Sequence, residues 1–378
     1  MTTLSGERFQ VAYRLATTSL GAARAWTRAI CLEQTVEFPA DLLPADWIAQ
    51  ELVGREESLT PAGEGAFIAT VSYPIETVGG ELPQLLNVLL GNISLQPGVR
   101  ALRMDAPESL LNAFRGPRLG CGGLRALLGV WDRPLLFTAV KPMGLSASEL
   151  ADRVYQMALG GVDVIKDDHG LANQAFAPYR ERVARCAEAV QKANRLTGAQ
   201  ALYAPNITGP FDQLRERAQW AKSMGAGGIL ICPALSGFDA MRALADDDAL
   251  SLAIFSHPAF LGNFLTSAES GIAHGALLGQ IMRLAGADAV VYPNFGGRFS
   301  FTRAQCEEIA REAAAPMGAL KPIFPCPGGG MTLDRIPELK AMYGRDVMFL
   351  VGGDIVRHSP DLTANCRYFR SVVESGAL

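Results

Sequence analysis

With 378 residues, 49% of them apolar, 19% charged and a net charge of −4, the chain exceeds the size at which one hydrophobic core usually stops growing, which predicts two domains. The acidic balance argues against a general grip on phosphate backbones or anionic lipid, so neither nucleic acid nor membrane is an expected partner. No apolar run approaches a bilayer span, "MTTLSGERFQ" lacks a basic stretch followed by a greasy one, and seven cysteines without CxxC pairs suit reduced thiols. The expectation is a cytoplasmic protein.

The first 118 residues offer possible strands at "FQVAYRLAT" and "AFIATVSYP" and helices near "LGAARAWTRAICLEQ" and "LPQLLNVLLGN". This β-α-β-α order predicts a small α+β domain, of the ferredoxin-like kind, over residues 1–118. Its boundary falls in the Gly-, Pro- and Arg-rich "FRGPRLGCGG" at 114–123, and a second domain follows over 119–378.

From residue 135 a single pattern repeats: an apolar stretch, turn residues, then a segment of helical period. The stretches are LLFTAV (135–140), VDVI (162–165), ALYA (201–204), GILIC (228–232), LAIF (252–255), AVVY (289–292), PIFP (322–325) and VMFLV (347–351). Continuous apolar runs suit strands covered on both faces, as in parallel sheets. Ser146 with Glu149 and Thr302 with Gln305 are capping-box pairs, Thr332 and Ser359-Pro360 precede further helices, and Gly198, Gly225 and Gly344 sit where helices should stop. Eight such units predict a (β/α)8 (TIM) barrel, with an open doubly wound sheet as the alternative.

In a (β/α)8 barrel the residues just past each strand face the active site. Here they include Lys141, the run Lys166-Asp167-Asp168-His169, Asn206, His257, and Asn294 with Arg298. Two glycine-rich stretches follow, "PGGG" at 327–330 and "GGD" at 352–354. A lone lysine past a strand is ordinarily solvated, and paired glycines ordinarily mark turns. Lys166 ends an apolar run, however, and glycine loops after the last two strands are the recurring phosphate cradle of this fold. Asp167 and Asp168 cannot both point inward if the strand alternation persists, so one of them is expected to be a solvated or capping residue.

"RPLLFTAVKPMGLS", "GGVDVIKDDHG", "FSHP", "RLAGADAVVYPNFGGR", "GGG" and "FLVGGD", in this order and with "CLEQT" and "LLGNI" in the first domain, resemble the ribulose-bisphosphate carboxylase (RuBisCO) superfamily over nearly the whole chain. The resemblance implies roles residue by residue. Lys141 matches a proton-moving lysine, Lys166 the lysine carbamylated by CO2, Asp168 a magnesium ligand and His257 the strand-five histidine. Arg298 falls where a mobile-loop lysine stands, and Gly329, Gly330, Gly352 and Gly353 match phosphate-binding backbone. Asn206 is a candidate substrate contact, while Glu33 and Asn92 match residues donated by a partner subunit, which implies a homodimer with shared sites.

Departures from the pattern narrow the activity. His169 stands where a glutamate would be the third metal ligand, "KPMG" is one residue short, Val291 or Tyr292 occupies a histidine's place, and Pro258 replaces an arginine that grips a second phosphate. These imply a RuBisCO-like protein that keeps enolate chemistry without fixing CO2, on a substrate with one phosphate. "KDDHG" with "CLEQTVEFP" is most similar to the branch acting on 3-oxo-isoapionate 4-phosphate in carbohydrate catabolism. Decarboxylation, with Mg2+ and a Lys166 carbamate as cofactors, is the leading expectation. A transcarboxylase or C–C hydrolase on the same compound, the 2,3-diketo-5-methylthiopentyl-1-phosphate enolase of methionine salvage, and an inactive barrel that binds a phosphorylated ligand are the alternatives.

Overall fold

The computed structural model describes residues 4–63 and 65–375. Strands β1 (Arg8–Leu15), β2 (Arg55–Pro61), β3 (Phe67–Pro74) and β4 (Val99–Asp105) form an antiparallel sheet in the order β4-β1-β3-β2. Helix Leu20–Glu33 follows β1 and helix Leu82–Leu90 follows β3, giving the β-α-β-β-α-β succession of a ferredoxin-like unit. Two of these strands lie outside the sequence reading. In β2, REESLTP has no buried residue. In β4, arginines interrupt the apolar alternation, although Arg100 is itself buried.

The eight apolar runs become β5 (Leu135–Val140), β6 (Val164–Asp167), β7 (Leu202–Ala204), β8 (Gly228–Ile231), β9 (Ala253–Ser256), β11 (Ala289–Pro293), β12 (Phe324–Gly328) and β13 (Met348–Leu350). They pair in parallel in the order β7-β6-β5-β13-β12-β11-β9-β8. Between β7 and β8 the Leu230 N–H donates to Pro205 and the Ile207 N–H to Leu230, which closes the ring. A two-residue strand, β10 (Gly271–Ile272), leaves the barrel to join β4 and so ties the two sheets together.

The strand period of two sorts the barrel residues. Leu135, Phe137, Val164, Leu202, Leu230, Phe255, Val291, Phe324 and Met348 fill the interior, together with Leu124 and Leu128 of helix Gly120–Leu128, which stops the amino end. That helix is latched by the buried Asp288, whose carboxylate accepts from the Leu119 and Gly120 N–H groups at 2.7 Å and from Ile254 at 2.9 Å. Intervening residues such as Leu136, Ile165, Tyr203 and Ile254 pack outward against the helices. With the amino end stopped by helix Gly120–Leu128, the carboxyl end is the one left open as a mouth.

Both capping boxes form, at Ser146/Glu149 and Thr302/Gln305. Two other starts differ from expectation. Thr332 leads into a short 3-10 turn and makes no side-chain cap. The last helix begins at Leu362, with Asp361 rather than Ser359 accepting from the Ala364 N–H. The cysteines are free thiols, all buried except the partly exposed Cys121. Among the described residues no helix is long and apolar enough to cross a membrane.

Candidate active site

Alternation carries the interior face of each strand up to the mouth. Lys166 lies on the side of Val164 and is 2% exposed, its Nζ donating to the Asp167 carbonyl at 3.1 Å. Lys141 continues the face of Leu135 and Phe137 and is half exposed, and its Nζ meets Asp168 Oδ1 at 2.7 Å. His169 Nδ1 approaches the same oxygen at 3.4 Å. The His169 ring stacks on His257, with centroids 4.2 Å apart and planes 17° apart.

Burial pushes the Lys166 ammonium down to about 8, with Asp168 acting against the shift and Lys141 adding to it. Burial alone would raise the Asp168 carboxyl, but hydrogen bonds from His169 and Lys141 hold it well below the usual carboxylate range. His257 is pushed well below an ordinary imidazole by burial first and then by the neighbouring Lys166 and His169, so it is neutral near pH 7. Its Nδ1 accepts from the Ala259 N–H at 3.2 Å, which leaves the proton on Nε2 as a donor.

Asp167 faces the other way. It is fully buried and accepts from Arg182 Nε at 3.1 Å, Tyr203 Oη at 2.6 Å and the Asn206 N–H at 3.0 Å. One aspartate does point away from the mouth, as alternation requires, but it is neither solvated nor a cap. Asn206, expected to touch substrate, is 1% exposed. Its carboxamide is engaged with the chain itself, donating to the His169 and Leu171 carbonyls and accepting from the Thr208 N–H.

Gly329 and Gly330 both have positive φ, and a Cβ on Gly330 would lie 2.6 Å from the Gly297 Cα. Backbone contact therefore joins this loop to the one bearing Arg298. Gly352 and Gly353 have open space where a Cβ would be. Arg298 is exposed and lies over the Phe299 ring at 4.9 Å. Glu33 and Asn92 sit together on the first domain, where Asn92 Nδ2 donates to Glu33 at 3.0 Å and to Glu37 at 2.9 Å.

Among the described residues no three His, Cys, Asp or Glu side chains gather as a ready cation site. With Lys166 an ammonium, the mouth holds two positive charges against one carboxylate and repels a cation. Carbamylation would turn Lys166 into an anionic oxygen donor beside Asp168, the one or two carboxylates that magnesium takes along with water and substrate oxygens. His169 adds a nitrogen donor, which suits magnesium less well. The residues fit a divalent cation in the carbamylated state alone.

The Asp167–Arg182–Tyr203 network lay outside the sequence reading. One signal was present: Arg182 falls on the stripe of Tyr179, Val183, Cys186 and Val190, the buried face of helix Tyr179–Thr197, where an arginine needs a partner.

Comparison with known proteins agrees with this arrangement. Residues 120–376 match the ribulose bisphosphate carboxylase large chain, catalytic domain. The 5-methylthioribulose-1-phosphate isomerase of Rhodospirillum rubrum is 40% identical over 98% of this chain and 97% of its own. Ribulose bisphosphate carboxylase-like protein 1 of Rhodopseudomonas palustris is 40% identical over 98% of each. The crystal structure of a RuBisCO-like protein from Rhodopseudomonas palustris superposes with a TM-score of 0.88 at 37% identity, covering 98% of this chain and 99% of that one. With the barrel, the lysine cluster at its mouth and identity of this extent, the chain belongs to the RuBisCO large-chain family and is homologous to its RuBisCO-like members.

Proposed function

We propose that the chain is an enolate-forming, non-carboxylating enzyme acting on a singly phosphorylated 3-oxo sugar acid, and that its reaction is the decarboxylation of 3-oxo-isoapionate 4-phosphate. The observation that carries this reading is the convergence of Lys141, Lys166 and Asp168 with the neutral His257 at the ends of β5, β6 and β9. Cationic and neutral donors at one point suit an anionic substrate whose negative charge moves onto an oxygen as the reaction proceeds.

The backbone N–H groups at Gly329, Gly330, Gly352 and Gly353 would hold the phosphate. His257 Nε2–H would donate to the substrate oxygen that becomes the enolate. As the C–C bond to the carboxylate breaks, its electron pair passes to that oxygen and CO2 leaves. The Lys141 ammonium, kept in place by Asp168, then delivers a proton to carbon. A magnesium ion held by carbamylated Lys166, Asp168 and His169 would supply Lewis-acid stabilisation of the same oxygen. The neutral Lys166 amine is the form that adds CO2, giving up a proton to become the carbamate.

A homodimer with shared sites belongs to this reading. Met143, Phe176, Phe211, Leu235, Phe260 and Phe299, from six loops that leave the carboxyl ends of the barrel strands, are each at least 41% exposed. Leu95 beside Asn92 is 83% exposed. Apolar collars of this kind are ordinarily covered. The first domain of a second copy would bring Glu33 and Asn92 to the mouth.

Identity to the Rhodospirillum rubrum isomerase favours a second reading, isomerisation of a phosphorylated ketose through the same enolate. Incubation with each substrate in heavy water separates the two. CO2 release from 3-oxo-isoapionate 4-phosphate, with deuterium at the adjacent carbon, supports the decarboxylase, and cleavage without CO2 identifies a C–C hydrolase. Failure of both, with turnover of 5-methylthioribulose 1-phosphate, replaces the reading with the isomerase.

A further inference from the structure

Asp167 faces away from the mouth, yet two of its three side-chain and backbone donors, Arg182 and Asn206, lead back to the loop beside it. Its carboxylate holds Arg182 Nε and the Asn206 N–H. Arg182 then sends Nη1 to the Ala177 carbonyl and Nη2 to that of Ala172, each at 2.8 Å. Asn206 Nδ2 donates to the His169 and Leu171 carbonyls, each at 2.9 Å. Four carbonyls of the loop 168–178 are thus tied from below by two side chains, both anchored on one buried carboxylate. The His169 carbonyl is one of the four, while its ring, 43% exposed, has the His257 face and Asp168 as its contacts. A half-exposed ring on a loop keeps a stacked geometry only if its backbone is fixed.

We propose that Asn206, with Asp167 and Arg182 behind it, is a positioning residue that sets the His169 ring on His257 and Asp168 beside Lys141, and that it does not contact substrate. The proposal rests on the mouth being the reactive site described above, but its geometry can be read without turnover.

The chain has four histidines, so each imidazole C–H signal can be resolved by NMR and assigned with single His→Gln variants. Asn206→Ala is expected to move the His169 and His257 signals and leave those of His274 and His358 in place. It should also lower kcat about 10- to 100-fold with KM little changed, as loss of an outer support does. Asn206→Asp keeps the size and the acceptor to Thr208 but loses both donors, so it reports the same effect if the alanine variant does not fold. Unmoved His169 and His257 signals overturn the proposal, and a raised KM alongside them assigns Asn206 to the substrate. Lack of turnover on every substrate tested would overturn the reaction while the NMR shifts still decide the positioning role.

Discussion

Lys141 Nζ and Asp168 Oδ1 lie 2.7 Å apart across the ends of two adjacent strands, and His169 reaches the same oxygen from the other side. Asp168 therefore orients a lysine and an imidazole at once, which makes it the hub of the mouth. Asp168→Asn is expected to lower kcat about 100-fold or more, because it removes the charge that orients Lys141. Lys141→Met should lower kcat similarly and spare KM for the phosphate-bearing substrate. Steady-state kinetics on both variants check this, and a pure KM effect would move Lys141 out of the proton-transfer role.

Lys166 is a charge stored where hydrophobic packing would be more stable. Its folded value of about 8 lies below the ordinary 10.5, so between those two values the unfolded chain binds more protons than the folded one. Stability is expected to rise with pH across that window and to carry the full burial cost below it. Lys166→Met should abolish activity and raise stability near pH 7 by about 1–3 kcal/mol, a gain that shrinks toward pH 10. Thermal melts of wild type and variant across pH 6–10 read the sign directly.

The same depression would bring the CO2-reactive neutral amine of Lys166 into reach near pH 8 rather than near 10.5. Activity in saturating bicarbonate and magnesium is expected to climb through pH 8 as the amine loses its proton, and 13CO2 should give a protein carbamate signal that is absent from Lys166→Met. A flat profile with no carbamate would remove the metal-assisted form of the reaction.

Parity along the strands explains what the sequence made legible. Runs such as LLFTAV are covered on both faces, so they stand out as apolar stretches, and Lys141, Lys166 and His257 follow as the next inward positions beyond Ala139, Val164 and Phe255. REESLTP hides its strand because neither face is buried. The Asp167–Arg182–Tyr203 contacts join residues 15 and 36 apart, and no local pattern encodes which buried arginine meets which aspartate. Asn206 looked like a substrate contact because it follows a strand, but its immediate neighbours are backbone carbonyls of the loop beside it.

A second buried pair holds the start of the strand that bears Lys166. Arg133 and Asp163, both about 5% exposed, make two parallel bonds of 2.7 Å, and Asp163 also accepts from the Leu136 N–H. Asp163→Ala removes the two carboxylate bonds of the buried Arg133, which keeps the Pro134 carbonyl and Glu374, and leaves the Leu136 N–H without its acceptor; it is expected to cost about 3–5 kcal/mol by chemical denaturation. Asp163→Asn should recover part of that loss by accepting from one donor.

Shared sites make a prediction that a single subunit cannot satisfy. If Glu33 and Asn92 act in a partner's mouth, then Glu33→Gln and Lys166→Met are defects on opposite sides of one composite site. Each homodimer would be inactive. A mixed dimer would carry one mouth with both defects and one with neither, so co-refolded or co-expressed subunits should regain about a quarter of wild-type activity, from half the molecules being mixed and half their sites intact. Light scattering of each variant alone checks that the dimer persists. Mixtures that stay inactive while mixed dimers form would confine the chemistry to one chain, and Glu33 with Asn92 would then be a hydrogen-bonded surface pair of the first domain and nothing more.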